Sequence, residues 1–216
     1  MIEFFLKNIN PIKILVLISF LFGLFFLNKS SSKHRLLLMI LLLSVITEYG
    51  VLIFIYFKKP YDFFYSISFI IHNILWLNVI DKVYKKLKYS EYIKLFYLAF
   101  SIVNLIFFEG IQKINCITFI LGAFIYLISF IYLSYILLKN EKIAFLISND
   151  YLLLFLPIIF FIGFSLMFGF DSYSLFNQEI FSNYKLYNFI GDFSCLNYYL
   201  LIILYIYRVR KTIKNE

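Results

Sequence analysis

The chain has 216 residues, 63% of them hydrophobic and 15% charged. Water-soluble domains run at about 45–50% apolar and about 25% charged, so a water-soluble core is excluded. Twenty Lys and Arg against 12 Asp and Glu give a net charge of +8, but these basic residues sit in short links beside apolar stretches, which reads as membrane orientation and not as nucleic-acid binding.

Seven apolar stretches, 11–27, 35–57, 61–80, 92–112, 115–138, 151–169 and 184–207, fill the chain. Each approaches the roughly 20 residues that a helix needs to cross the hydrocarbon core. The first follows Lys7 and Lys13, as the apolar part of a secretory leader would. Lys29, Lys33, His34 and Arg35 come after it as a stop-transfer cluster, and it has no A-x-A site, so it is expected to stay as a helix.

The second stretch carries Glu48 near its middle, in Ile46-Thr47-Glu48-Tyr49-Gly50. A carboxylate at that depth is costly unless it is protonated, paired or facing water, which makes Glu48 the sharpest candidate for a site. In the third, Tyr61, Tyr65, Ser68, His72 and Trp76 recur at helical steps on one face, with Asn73 and Asn78 beside it. Lipid offers such a stripe no partner, so it must meet other polar groups; the Tyr and Ser residues read first as glue between helices. His72 adds a group that can change charge near neutral pH.

The fourth and fifth stretches offer Asn104, Gly122, Tyr126 and Ser129 as weaker candidates, with Glu109 expected to be hydrated at the outer end of the fourth. The sixth is apolar on every side; Pro157 cannot donate to Leu153 and is expected to kink it, and Gly163 and Gly169 would let another helix approach closely. The seventh places Asn188, Asp192, Cys195 and Tyr199 on one face. At the rise of an α-helix, Glu48, His72 and Asp192 lie about 13, 16 and 12 Å from their outer helix ends, a shared layer that predicts one Glu–His–Asp cluster opening outward.

Basic residues orient the bundle. Fourteen (Lys29, Lys33, Arg35, Lys82, Lys85, Lys86, Lys88, Lys94, Lys139, Lys142, Arg208, Arg210, Lys211 and Lys214) fall on the side of the C-terminus, and six (Lys7, Lys13, Lys58, Lys59, Lys113 and Lys185) on the other. The positive-inside bias puts the N-terminus out and the C-terminus in, and makes the protein a multi-pass protein of the cytoplasmic (inner) membrane. The longest link, 170–183, with Asp171, Asn177 and Glu179, is then external. Residues 1–216 thus form a single all-α domain, a polytopic bundle of seven transmembrane helices with no extramembrane domain. A β-barrel is excluded because 14–27 and 151–164 do not alternate apolar with polar. The third and seventh stretches align at a constant offset, Tyr61 on Tyr184 and Val83-Tyr84-Lys85 on Ile206-Tyr207-Arg208, compatible with two three-helix bundles joined by the fourth.

Phe107-Phe108-Glu109-Gly110-Ile111, then Thr118-Phe119-Ile120-Leu121-Gly122 and the long helix to Leu138, together with Ile46 to Gly50, resemble segments of small seven-span membrane proteins of Bacteroidota. The resemblance implies architecture over most of the chain; it carries no assigned activity and no catalytic residues. Its members often hold an acidic residue in the third span, where this chain has His72 and Asn73.

Glu48, His72, Asn73, Trp76, Asn188 and Asp192 are the expected ligand-binding residues. Cys116 and Cys195 lie in no ligand spacing, Glu and His form no HExxH, and the last span has only Lys185 at its edge for a retinal linkage, so neither a metal site nor a cofactor is expected. Three function classes follow: binding of a small ligand with signalling to a membrane or cytoplasmic protein partner, transport of a small solute, and lipid-active catalysis with Glu48 or Asp192 as base. The first is preferred and the enzyme reading comes last.

Overall fold

The computed structural model describes residues 10–84, 90–170, 178–181 and 184–214. Lys7, Lys85, Lys86, Lys88, Asp171 and Asn177, named above, lie outside the described residues. The helices are α1 (Pro11–Phe26), α2 (Ser32–Tyr56), α3 (Asp62–Val83), α4 (Ser90–Val103), α5 (Cys116–Lys139), α6 (Ile143–Leu146), α7 (Asn149–Phe155), α8 (Ile158–Gly169) and α9 (Leu186–Lys214). Strands β1 (Glu179–Phe181) and β2 (Tyr184–Lys185) pair antiparallel just before α9.

Six segments are long and apolar enough to cross a membrane: α2, α3, α4 with its extension to Phe108, α5, α7 with α8, and α9 to Lys211. The architecture is an all-α bundle of an integral membrane protein. Helix α1 is apolar but has 16 residues, about 24 Å of rise against a hydrocarbon core of about 30 Å. Where seven spans were expected, the described residues hold six helices long enough to cross and a shorter apolar one. The seventh stretch also starts later than expected, because Tyr184 and Lys185 are drawn into the hairpin, where Lys185 sits opposite Glu179 and opposite charges across a strand pair are favourable.

The helices close a ring in which α1 packs on α2, α2 on α3, α3 on α5, α5 on α8, α8 on α9 and α9 back on α1. Helix α4 lies outside, against α3 and α5: 17% of its most apolar stretch is buried, against 56% for α3. Lipid gives apolar side chains no reason to leave it, so such contacts depend on close packing and internal hydrogen bonds. One end of the bundle gathers the Lys33–Asp150 ion pair, Arg210 stacked 4.3 Å over the Phe26 ring, and Arg208, which donates to the Ile147 carbonyl at 3.3 Å. The opposite end holds Lys13, Tyr61 and the α4–α5 link.

Local breaks have local causes. Pro157 has no N–H for Leu153, and the helix divides into α7 and α8 at Leu156–Pro157. The Tyr126 hydroxyl donates to the Leu154 carbonyl at 2.7 Å, so a polar group loosened by the break finds a partner inside the bundle. Helix α4 ends in a π-helical turn, Asn104–Phe108, closed by Glu109 N–H on the Asn104 carbonyl at 3.0 Å. The Asn104 amide then donates to Thr118 (2.8 Å) and to Glu109, whose carboxylate accepts the Ile117 N–H at 3.1 Å. Glu109 therefore caps α5, and Gly110, at φ +80°, makes the left-handed turn between the two helices.

Gly163 is where α8 meets α9 most tightly. A Cβ there would fall on Ser194 Oγ and 2.7 Å from Ser194 Cβ. Gly169, by contrast, would meet nothing nearer than Ile120 at 4.0 Å. Gly163→Ala is expected to destabilise the bundle by about 1–3 kcal/mol, and Ser194→Gly in the same chain should recover most of the loss. Unfolding curves in detergent test this; an alanine variant as stable as the parent contradicts the packing.

Candidate functional site

A cavity of about 390 Å³ lies between α2, α3, α8 and α9 and runs from mid-bundle to the end that carries Lys13. Its size is that of small-molecule sites, which are mostly apolar with a few placed polar groups. The floor is Ser44, His72, Phe160 and Tyr199. Above it come Thr47, Glu48, Ser68, Phe69, Phe164 and Cys195, then Val51, Tyr65, Met167 and Phe168. Lys13, Ile55, Tyr61, Ile114 and Tyr187 ring the mouth.

The wall facing Glu48 is aromatic. Tyr65 and Phe69 stack with centroids 6.0 Å apart, Phe69 meets Phe168 at 5.7 Å, and Phe164 lies 5.7 Å from Phe168 and 4.5 Å from Phe160. The spacing of Phe160, Phe164 and Phe168 by four puts them on one ridge of α8. Thr47 Oγ1 lies 2.9 Å from Ser68 Oγ and 2.8 Å from the Leu43 carbonyl, joining α2 to α3 at the level of Glu48.

Glu48 is half-buried and no hydrogen bond from the described residues reaches its carboxylate. Lys13 is its nearest formal countercharge, close enough to act on it electrostatically. The Tyr49 hydroxyl ties the two helices by donating to the Lys13 carbonyl at 3.3 Å.

His72 closes the floor. The Trp76 indole N–H lies 3.1 Å from Tyr198 Oη and 3.3 Å from His72 Nε2, and Tyr198 Oη lies 3.2 Å from the same nitrogen. Indole only donates, so Nε2 serves as acceptor and the neutral ring carries its proton on Nδ1. That Nδ1 is buried without a partner among the described residues. Beneath the ring, Trp76 packs T-shaped on Tyr126 at 6.2 Å and shuts the cavity from the opposite half of the bundle.

The structure therefore brings Glu48 and His72 to one cavity and sets Trp76 directly under it. Asn73 points elsewhere, donating to the Tyr97 hydroxyl of α4 at 3.0 Å over Gly122. Asn188 and Asp192 are exposed and do not line the cavity, so the expected Glu–His–Asp cluster is a Glu–His pair. The reason is the hairpin. With α9 starting at Leu186, Asp192 is about 9 Å along the helix instead of about 12 Å, and the Tyr184 hydroxyl of β2 donates to its carboxylate. Further along the same stripe, Cys195 and Tyr199 do face the cavity.

Lys13 and the phenylalanine ridge escape a reading of the sequence. Lys13 resembles the basic flank of a leader, and in a chain with 29 Phe a spacing of four carries no weight. No group of three or more His, Cys, Asp or Glu that could hold a metal occurs among the described residues. Comparison of the chain with protein families, curated proteins and solved structures finds no match.

The bond to Asp192 pushes the Tyr184 phenol up to about 12. Its folded value exceeds the unfolded value near 10, so the contact stabilises the hairpin below about pH 10 and is lost as pH rises through about 12. Site-resolved ¹³C NMR of labelled tyrosine should place the Tyr184 midpoint at about 12, and Asp192→Asn should return it toward 10. An unchanged midpoint in that variant contradicts the contact.

Proposed function

We propose that the chain is a seven-span protein of the cytoplasmic membrane, N-terminus outside and C-terminus inside, which binds a small ligand in this cavity and signals to a protein partner at its basic end. The observation that carries the reading is the Glu48 carboxylate, which no hydrogen bond from the described residues reaches, in an apolar cavity floored by His72. Thr47 and Ser68 at the same level bond to each other, and a carboxylate left unpaired in a bundle is expensive unless a ligand or water completes it.

A route for the signal follows from the break at Pro157. A ligand would touch Phe160, Phe164 and Phe168 on α8, while α7, across the break, carries Asp150 and its ion pair to Lys33 at the opposite end. Rotation of α8 about Leu156–Pro157 would pull on that pair, a hinge motion of the kind that passes signals without an extra domain. Transport is the second reading, favoured by the same feature, because broken helices beside a mid-membrane site recur in transporters.

Orientation and access are tested together. In a Cys116→Ser variant, Cys195 is the remaining thiol, and a charged, membrane-impermeant methanethiosulfonate applied to the outside of intact cells should modify it. A C-terminal fusion should be active with a cytoplasmic reporter and silent with a periplasmic one. Reaction of Cys195 only after solubilisation, or the opposite reporter pattern, overturns the reading. Gradient-driven flux in proteoliposomes would decide for transport.

A further inference from the structure

The polar groups of the cavity bear on the charge of its ligand. Resting on the ligand-binding reading above, we propose that the cavity takes a lipophilic organic monocation, the class of a protonated arylalkylamine. Its ammonium would meet the Glu48 carboxylate, and its apolar body would lie along the phenylalanine ridge of α8 above His72.

The Glu48 carboxylate faces the cavity and is left open. It lies within electrostatic reach of Tyr65 on α3 and of Cys195 and Tyr199 on α9, all three of which line the same space. The nearest donors are spent elsewhere. Ser44 and Thr47 bond the Ile40 and Leu43 carbonyls of their own helix at 3.0 and 2.8 Å, and Ser68 pairs with Thr47 at 2.9 Å. Lys13, at the mouth, has a partner of its own. A carboxylate so placed carries a desolvation cost that a cation relieves. A ligand anion would add to that cost, and a zwitterion would bring a second carboxylate for which the lining, with Lys13 engaged, offers no open cation. An inorganic cation would need a shell of several oxygen ligands, whereas Glu48 is the one acidic residue among the described residues of the lining. An organic cation brings its own apolar cover.

The wall suits the body. Phe69 meets Phe168 at 5.7 Å and Phe164 lies 4.5 Å from Phe160, so aromatic rings run from the level of Glu48 to the floor. Aromatic faces attract a desolvated cation as well as an apolar group; an aliphatic wall would serve only the second. At the floor, His72 has nothing to offer a polar tail. Its Nε2 is taken by Trp76 and Tyr198, its Nδ1 is buried, and Phe160 packs beside the ring at 5.2 Å. Ser68 is level with Glu48 through Thr47, and His72 lies about one helical turn, or about 6 Å, below it. That depth takes one ring beneath the charge and leaves the ammonium beside Cys195, which Glu48 also reaches.

Three probes of similar size separate the charge from the body: 2-phenylethylamine, 2-phenylethanol and phenylacetate. Each is titrated by calorimetry against the unmodified protein in nanodiscs of zwitterionic lipid, with protein-free nanodiscs as the blank. The amine should bind about tenfold or more tighter than either of the others. Glu48→Gln should bring the amine down to the level of the alcohol and leave the alcohol unchanged, a split that general misfolding would not produce. Cys195 gives a second readout in the Cys116→Ser variant. With rates taken relative to a free thiol in solution, the trimethylammonioethyl methanethiosulfonate should modify it about tenfold or more faster than the sulfonatoethyl reagent. Glu48→Gln should bring the two rates together, and 2-phenylethylamine should slow both. Equal or tighter binding of the alcohol or of phenylacetate, or an amine affinity unchanged by Glu48→Gln, overturns the proposal. If Cys195 reacts but shows no preference for the cationic reagent and no protection by the amine, this ligand class is wrong and the cavity stands. If Cys195 is unreactive from outside, both fall.

Discussion

The hydrocarbon core accepts no hydrogen bond, and this one constraint governs the bundle. Every donor or acceptor carried into the apolar layer must find its partner within the protein. The helices satisfy their own backbone, and the remaining polar side chains determine which helix faces which. Asn73 joins α3 to α4 through Tyr97; Asn104 joins the π-helical turn to α5 through Thr118; Tyr126 joins α5 to the carbonyl beside the Pro157 break. At the basic end Lys94 gathers Asp81 at 2.8 Å and Asn78 at 2.9 Å, and so fastens α4 to α3. These bonds hold helices whose apolar surfaces would be equally content in lipid.

Against that closed accounting, the exceptions acquire meaning by position. Other buried polar atoms also lack partners, among them His34 Nδ1, both amide atoms of Asn115, Ser165 Oγ and the Tyr205 hydroxyl. They are dispersed: His34 packs edge-on to Tyr205 at 6.2 Å, and Asn115 lies at the start of α5, where its N–H is taken by Ser66 at 3.0 Å. None of these four residues lines the cavity. Glu48, by contrast, sets a carboxylate with no hydrogen bond from the described residues against a space large enough for a small molecule.

Much of the helical layout was readable because hydropathy and length are properties of a segment by itself. The apolar runs, the break at Pro157 and the close approach at Gly163 depend on local chemistry, and each is found where periodicity and composition put it. Glu48 and His72 stood out for the same reason, as polar groups in apolar segments. What could not be read was which of two polar stripes meets a cavity. That depends on the short hairpin that shifts the start of α9 and gives Asp192 a partner in Tyr184, and on α1 bringing Lys13 beside Glu48. Glu109, expected in water at the outer end of its span, also caps α5, because the π-helical turn places Asn104 against it. These are tertiary coincidences of residues far apart in the chain or off the regular helical period.

The break at Pro157 ties the site to the rest of the molecule. A continuous helix would spread any displacement of Phe160 evenly along its length. In the divided one, α7 carries the Lys33–Asp150 pair and the Tyr126 hydroxyl bonds the Leu154 carbonyl beside the break, so the two halves are held by different contacts. Below the cavity, Trp76 and Tyr198 fix the ring of His72. The floor of the cavity is hydrogen-bonded, whereas the α8 wall is held by ring contacts and by the close packing of Gly163 on Ser194.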